Sequence, residues 1–228
     1  MSTIADNVSQ VDERIRAAAL AAQRDPSTIG LLAVSKTKPA AALREAFAAG
    51  LRDFGENYLQ EALSKQLELA DLPLCWHFIG PIQSNKTRAI AEHFAWVHFV
   101  DRLKIAQRLS EQRPAELPPL NICIQVNVSG EASKSGCTPD DLPALAAAIS
   151  ALPRLTLRGL MAIPEPTEDS AEQNAAFATV RRLQDSLNLP LDTLSMGMSH
   201  DLEAAIAQGA TWVRIGTALF GARDYGQP

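Results

Sequence analysis

Gly30-Leu31-Leu32-Ala33-Val34-Ser35-Lys36-Thr37-Lys38-Pro39, leading into an alanine-rich stretch that stops at Gly50, decides the fold of this chain. The apolar run over 30–35 has the length of a buried strand. Pro39 suits the first helical position, where a missing N–H does no harm, and Gly50 suits the position just past a helix end. Residues 30–50 therefore predict one strand and one helix, and the same phrase recurs down the chain. Strands are expected over 52–55, 75–79, 96–100, 120–128, 155–162, 192–195 and 211–215. The helices expected between and after them cover 58–70, 84–93, 102–112, 139–151, 170–187 and 200–208, with a short helical turn after the last strand.

Strands that alternate with helices pair in parallel, because a parallel neighbour needs a crossover. Eight such units in a row predict closure into a single (β/α)8 TIM-type barrel, residues 1–228 forming one domain. A doubly wound sheet would more usually show fewer units and a glycine-rich first turn. Ahead of the first strand, Ile4, Val8, Val11, Ile15, Ala18, Ala19 and Ala22 fall on one helical face. Thr3 and Asp6 form a capping pair, and Asp25-Pro26 stops this extra N-terminal helix. The loose segment 113–119 fits a long loop.

Composition narrows the partners. Among 228 residues, 46% are hydrophobic and 21% charged, which is ordinary for a folded domain, and the net charge is -5. Nucleic-acid binders need a basic stripe, whereas the basic stretches here, 35–38 and Arg181-Arg182, are short and isolated, so no nucleic acid is expected. Cys75, Cys123 and Cys137 cannot all pair and make no C-x-x-C, which argues against a disulfide scaffold and a structural metal. The N-terminus lacks a signal-peptide layout, and no apolar run reaches the roughly 18–20 residues of a membrane span. A cytoplasmic protein with no membrane partner is expected, and a monomer, since no apolar helix is left over once the barrel is assembled.

In a barrel of this kind the active site lies at the C-terminal ends of the strands. Lys36, Glu56-Asn57, Gly80 to Asn85, Asp101, Asn127, Met161, Gly197 to Ser199 and Gly216-Thr217 occupy those positions. Lys36 follows an apolar strand, where partial desolvation can free a neutral amine for imine formation; a lysine snorkelling off a strand end is the plainer reading. Lys38 competes for the role but sits beside Pro39 at a helix start. Loops after strands seven and eight often bind phosphate at helix N-termini. Ser199 is expected to cap the helix there, and Gly197 and Gly216 either admit an anion closely or only make tight turns. Residues 216–221 have P-loop glycine spacing, but Ala222 stands where that motif needs lysine. Arg214 interrupts an apolar strand, so it either pairs with a core carboxylate such as Asp53 or donates to a ligand in the barrel mouth. His77, His93 and His98 are expected as packed or hydrogen-bonded imidazoles, and His200 in a helix first turn. No metal set or serine-hydrolase elbow is present. An imine-forming lysine opposite a phosphate cradle suits a phosphorylated aldehyde, and pyridoxal 5′-phosphate (PLP) is the obvious one.

The segments 33–39, 54–58, 76–86, 159–161, 197–199 and 214–217, with Ser133-Lys134-Ser135-Gly136, resemble the pyridoxal phosphate homeostasis protein family, itself related to the N-terminal barrel domain of alanine racemase. The block from Trp76 to Lys86 is the most specific. The resemblance implies that Lys36 carries PLP as an internal aldimine, that Ser199, Gly216 and Thr217 hold the phosphate, and that Arg214 faces the pyridine nitrogen. It implies that Asn57 and Met161 line the pocket, that no residue is catalytic, and that PLP-dependent apoenzymes are the partners. Two other functions fit the lysine and the cradle. A PLP-dependent racemase needs acid/base groups on both faces of the α-carbon, one of them a tyrosine on a second domain in the racemase relatives, and only Tyr58 and Tyr225 occur here. A cofactor-free Schiff-base aldolase acting on a sugar phosphate would use Lys36 directly.

Overall fold

A computed structural model describes residues 2–129 and 135–222 of the chain; Ser133, Lys134 and Tyr225 lie outside the described residues. The chain begins with α1 (Ile4–Ala21), closed at its N-terminus by a capping box. Asp6 N–H donates to Thr3 Oγ1 at 3.1 Å and Thr3 N–H donates to Asp6 Oδ2 at 2.9 Å. Val8, Val11, Ile15 and Ala19 form its buried face, the larger of them contributing about 1.5–3 kcal/mol each. Asp25 ends the connection by capping a 3-10 turn, Pro26–Thr28.

Eight strands follow, each with a helix behind it: β1 (Gly30–Val34) and α2 (Ala40–Ala48), β2 (Asp53–Glu56) and α3 (Leu59–Glu68), β3 (Cys75–Phe78) and α4 (Thr87–His93), β4 (Trp96–Val100) and α5 (Leu103–Gln112). The second half continues with β5 (Leu120–Gln125) and α6 (Leu142–Ser150), β6 (Leu155–Met161) and α7 (Ser170–Ser186), β7 (Thr193–Ser195) and α8 (Leu202–Ala207), β8 (Trp212–Ile215) and α9 (Thr217–Phe220). All neighbours pair in parallel, and β8 returns to β1 with Leu31 opposite Val213 and Ala33 opposite Ile215. The expected α/β barrel with its extra N-terminal helix is what the chain forms. Arg113 pins the predicted loop after α5, donating to Pro118, Ala91 and Phe94 carbonyls. No helix among the described residues is long and apolar enough to cross a membrane.

Three local expectations need correction. Pro39 is the N-cap of α2, with an extended ψ of 155°, and not its first helical residue. The helix after β3 begins as a 3-10 turn, Ser84–Lys86. Asp201, and not Ser199, is the N-cap of α8; its carboxylate accepts from Met198 N–H at 2.6 Å, so the carboxylate orders the turn that the serine was expected to close.

The base of the barrel is filled by rings. His77 stacks on Trp96 at 5.5 Å and meets Trp212 edge-on at 5.2 Å, while the Arg158 guanidinium lies 4.8 Å over the Trp96 ring. Gly30 makes room for this plug: a Cβ there would fall 2.3 Å from Trp212 Cζ3. The mouth, at the other ends of the strands, stays open. The leading helix supports it from behind, since Asn7 donates to Leu219 O at the end of α9 and Arg14 bridges Ser199 O and Glu203.

Candidate functional site

A cavity of about 210 Å³ opens at the C-terminal ends of β1, β2, β7 and β8. Lys36, Asn57, Ser199, Arg214, Gly216 and Thr217 all line it, so six of the residues expected at the site are brought together from four separate βα units. Val34, Ile79 and Ile163 supply apolar wall, and His200, which precedes α8, joins the rim. The exception is Met161, which is buried but not among the lining residues. A Cβ on Gly159 would point at Gln184 of α7, and Met161, two residues on in the same strand, shares that outward side. Its place in the wall is taken by Ile163.

Lys36 follows β1 directly and is half-buried. Its backbone is held from outside the barrel by a buried charge cluster. Ser35 Oγ donates to Glu56 Oε1 at 2.6 Å, and Lys65 Nζ donates to Ser35 O and Glu56 Oε1, both at 2.8 Å. The same ammonium reaches Glu61, whose Oε1 accepts from Thr37 N–H at 2.6 Å. That bond secures Thr37 at φ 64°, a left-handed conformation unusual for a β-branched residue. Burial pushes the Glu56 carboxyl up, against the opposing pull of Lys65, and its Oε2 is buried without a hydrogen bond. Lys38, the competing lysine, donates instead to Phe220 O and Ala222 O at the end of α9.

Arg214 forms the inner wall of the cavity. It does not pair with Asp53. Its Nη1 donates to Ser195 O at 2.6 Å and Ser195 Oγ at 2.9 Å, and its Nη2 to Ala162 O at 3.0 Å. No carboxylate among the described residues bonds it, and burial lowers the guanidinium to about 10 even though the charge of Asp201 pulls the other way. A buried cation held by carbonyls and a hydroxyl keeps its charge available to a ligand. Across the cavity, the first N–H groups of α9 have no partner within the helix, and Thr217 adds a hydroxyl. Gly197, at φ 97°, turns the chain where a Cβ would meet Ala205 Cβ at 2.6 Å. Asn57 Oδ1 is a further buried acceptor with no hydrogen bond. Gly80 packs flat on the Asn57 backbone, with no space for a Cβ.

Sequence reasoning missed the supports of this site. Glu61 and Lys65 carry no signal of their own in the sequence, and the packing of α3 against the sheet buries the lysine. His77 and His98, expected as packed or hydrogen-bonded imidazoles, are both: His77 Nδ1 lies 3.0 Å from His98 Nε2, and the His77 ring stacks on Trp96. Their continuation to Ser195 and Arg214 had no sequence signal, because strands three, four, seven and eight meet only inside the closed barrel. The three cysteines are free, and burial raises the thiols of Cys75 and Cys123 to about 12.

The family model described as alanine racemase, N-terminal domain, matches residues 2–224. A pyridoxal phosphate homeostasis protein of Pseudomonas aeruginosa is 80% identical over 228 residues, covering 100% of this chain and 99% of its own. The solved structure of PipY from Synechococcus elongatus with PLP bound is 43% identical with a TM-score of 0.83, covering 96% of this chain and 100% of that one. Alanine racemase from Streptomyces lavendulae shares the fold at 20% identity and a TM-score of 0.72; the match covers 96% of this chain and 57% of the racemase.

Proposed function

The chain belongs to the pyridoxal phosphate homeostasis protein family, and on that premise we propose that it binds and buffers PLP. It acts in the cytoplasm as a monomeric barrel domain, carrying the cofactor covalently on Lys36 and passing it to PLP-dependent apoenzymes, with no turnover of its own. The observation that carries this reading is the meeting of Lys36 and Arg214 in one cavity with Ser199, Gly216 and Thr217. When bound, PLP supplies an aldehyde, a phosphate and a ring nitrogen.

Each of those groups has a counterpart. Lys36 offers the amine at the end of β1, with its backbone held by the Glu56–Lys65–Glu61 cluster. Ser199 and Thr217 offer hydroxyls and, with Gly216, backbone N–H groups for the anionic end. Arg214, already charged and buried, would face the ring nitrogen; a second positive charge beside it would be disfavoured, leaving the nitrogen unprotonated and the ring a poor electron sink. Asn57 flanks the cavity with a buried acceptor still unbonded.

One feature favours carriage over racemisation: no tyrosine among the described residues lines the cavity, and Tyr58 is 55% exposed and stands outside it.

Titrating the purified full chain with PLP tests the proposal. The expected result is a saturable visible absorption band that is lost in Lys36→Ala. Absence of any band rejects PLP binding and leaves the cofactor-free aldolase, which would instead form a borohydride-trappable adduct with a sugar phosphate. Incubating the PLP-loaded protein with single-enantiomer amino acids separates carrier from racemase, because sustained loss of optical rotation contradicts carriage.

A further inference from the structure

Four hydrogen bonds run in series through the inside of the barrel, from its base to the cavity wall. Asp53 Oδ1 lies 3.0 Å from His77 Nε2, His77 Nδ1 lies 3.0 Å from His98 Nε2, and His98 Nδ1 lies 2.8 Å from Ser195 Oγ. Arg214 Nη1 completes the series at 2.9 Å from the same hydroxyl. The residues come from β2, β3, β4, β7 and β8, and both imidazoles and Ser195 are fully buried.

The direction of the series follows from its ends. A guanidinium only donates and a carboxylate only accepts, whereas a neutral imidazole and a hydroxyl each do one of each. Burial lowers both rings, His98 strongly, with His77 and Arg214 adding to its shift. With both rings neutral, one arrangement keeps a donor facing the Asp53 carboxylate, and Cys75 Sγ, 3.5 Å from His77 Nε2, then lies beside that N–H as a weak acceptor. Arg214 donates to Ser195, the Ser195 hydroxyl to His98 Nδ1, His98 Nε2–H to His77 Nδ1, and His77 Nε2–H to Asp53. Running the series backwards would set the His77 Nε2 lone pair against the Asp53 carboxylate at 3.0 Å.

We propose that His98, backed by His77 and Asp53, is a positioning residue for Arg214: the one-way series turns the Ser195 hydroxyl so that its lone pair faces the guanidinium, and so fixes the cation in the cavity wall. Its effect on a ligand rests on the PLP reading of the site. The arrangement of protons does not.

The chain has four histidines, so nitrogen-15 spectra of the histidine rings in the cofactor-free full chain can be assigned by single substitution. His77 and His98 are expected to carry their proton on Nε2 alone at pH 7. A proton on Nδ1 of either ring, or on both nitrogens, overturns the series whether or not PLP binds. The link to the site is read in the PLP-loaded protein with Ser195→Ala, which removes one atom, and His98→Phe, which keeps the ring shape. Both are expected to shift the absorption band in the same direction as Arg214→Gln and to retain PLP about tenfold less tightly, the size of one buried hydrogen bond. Ile122→Val, a core change elsewhere in the wall, should leave the band in place. An unmoved band in Ser195→Ala and His98→Phe, with Arg214→Gln shifted, overturns the positioning role. If wild type takes up no PLP, the functional reading falls, and the ring spectra still decide the series.

Discussion

Arg214 and Lys65 are both buried cations, one on each side of the barrel wall, and their partners differ in kind. Lys65, outside the sheet under α3, sits between two carboxylates, Glu56 and Glu61. Arg214, inside the sheet at the mouth, is held by the carbonyls of Ser195 and Ala162 and one hydroxyl. The first charge is answered within the fold. The second is left for whatever enters the cavity. A buried charge bonded directly to carboxylates marks structure, and one oriented only by neutral acceptors beside a cavity marks a site.

The difference is broken most directly by removing each cation. Lys65→Met strands Glu56 and Glu61 and should cost about 3–5 kcal/mol in urea unfolding, the usual penalty for breaking a buried pair. Arg214→Met strands only neutral acceptors and should cost less, about 1–3 kcal/mol, while PLP retention falls steeply. Equal stability losses in the two variants would erase the distinction between them.

The two regions also carry opposite pH signatures. Glu56 is raised from 4.5 in the fold, so its contribution is present below that value and is lost as pH rises through the folded pKa. His77 and His98 are lowered from 6.5, so their contribution is present above 6.5 and is lost as pH falls. Unfolding free energies measured across this range should show Glu56→Gln removing part of the decline on the alkaline side of 4.5. His98→Phe should flatten the decline below 6.5. Identical profiles in wild type and both variants would contradict the assigned shifts. The smallest effect expected is at Thr37: replacement by glycine relieves the φ of 64° but frees the unfolded chain, for a net gain of about 0.5 kcal/mol. A loss of more than about 1 kcal/mol in the melt would mean that the threonine side chain itself supports the Lys36 turn.

The barrel was legible because short strand-like runs, several of them apolar and flanked by Gly or Pro as at 30–34 and 75–78, alternate with stretches of helical period. Lys36, Ser199, Arg214, Gly216 and Thr217 were legible because a barrel places the residues after its strands on one rim. Met161 was not. Its distance along β6 is right, but a two-residue period turns it to the helix side. The Lys65 cluster and the histidine series were hidden for another reason. Both join residues far apart in sequence through packing that exists only once the barrel closes, and a lysine four residues after a glutamate on a helix looks like an exposed pair.

The claim that this cavity takes PLP through Lys36, with Arg214 opposite, is met most directly by reducing the PLP-loaded full chain with borohydride and mapping the modified peptide by mass spectrometry. A single pyridoxyl adduct on Lys36 is the result predicted, absent in Lys36→Ala and diminished in Arg214→Met. An adduct on Lys38 or another lysine with Lys36 unmodified, or no adduct at all, would contradict it.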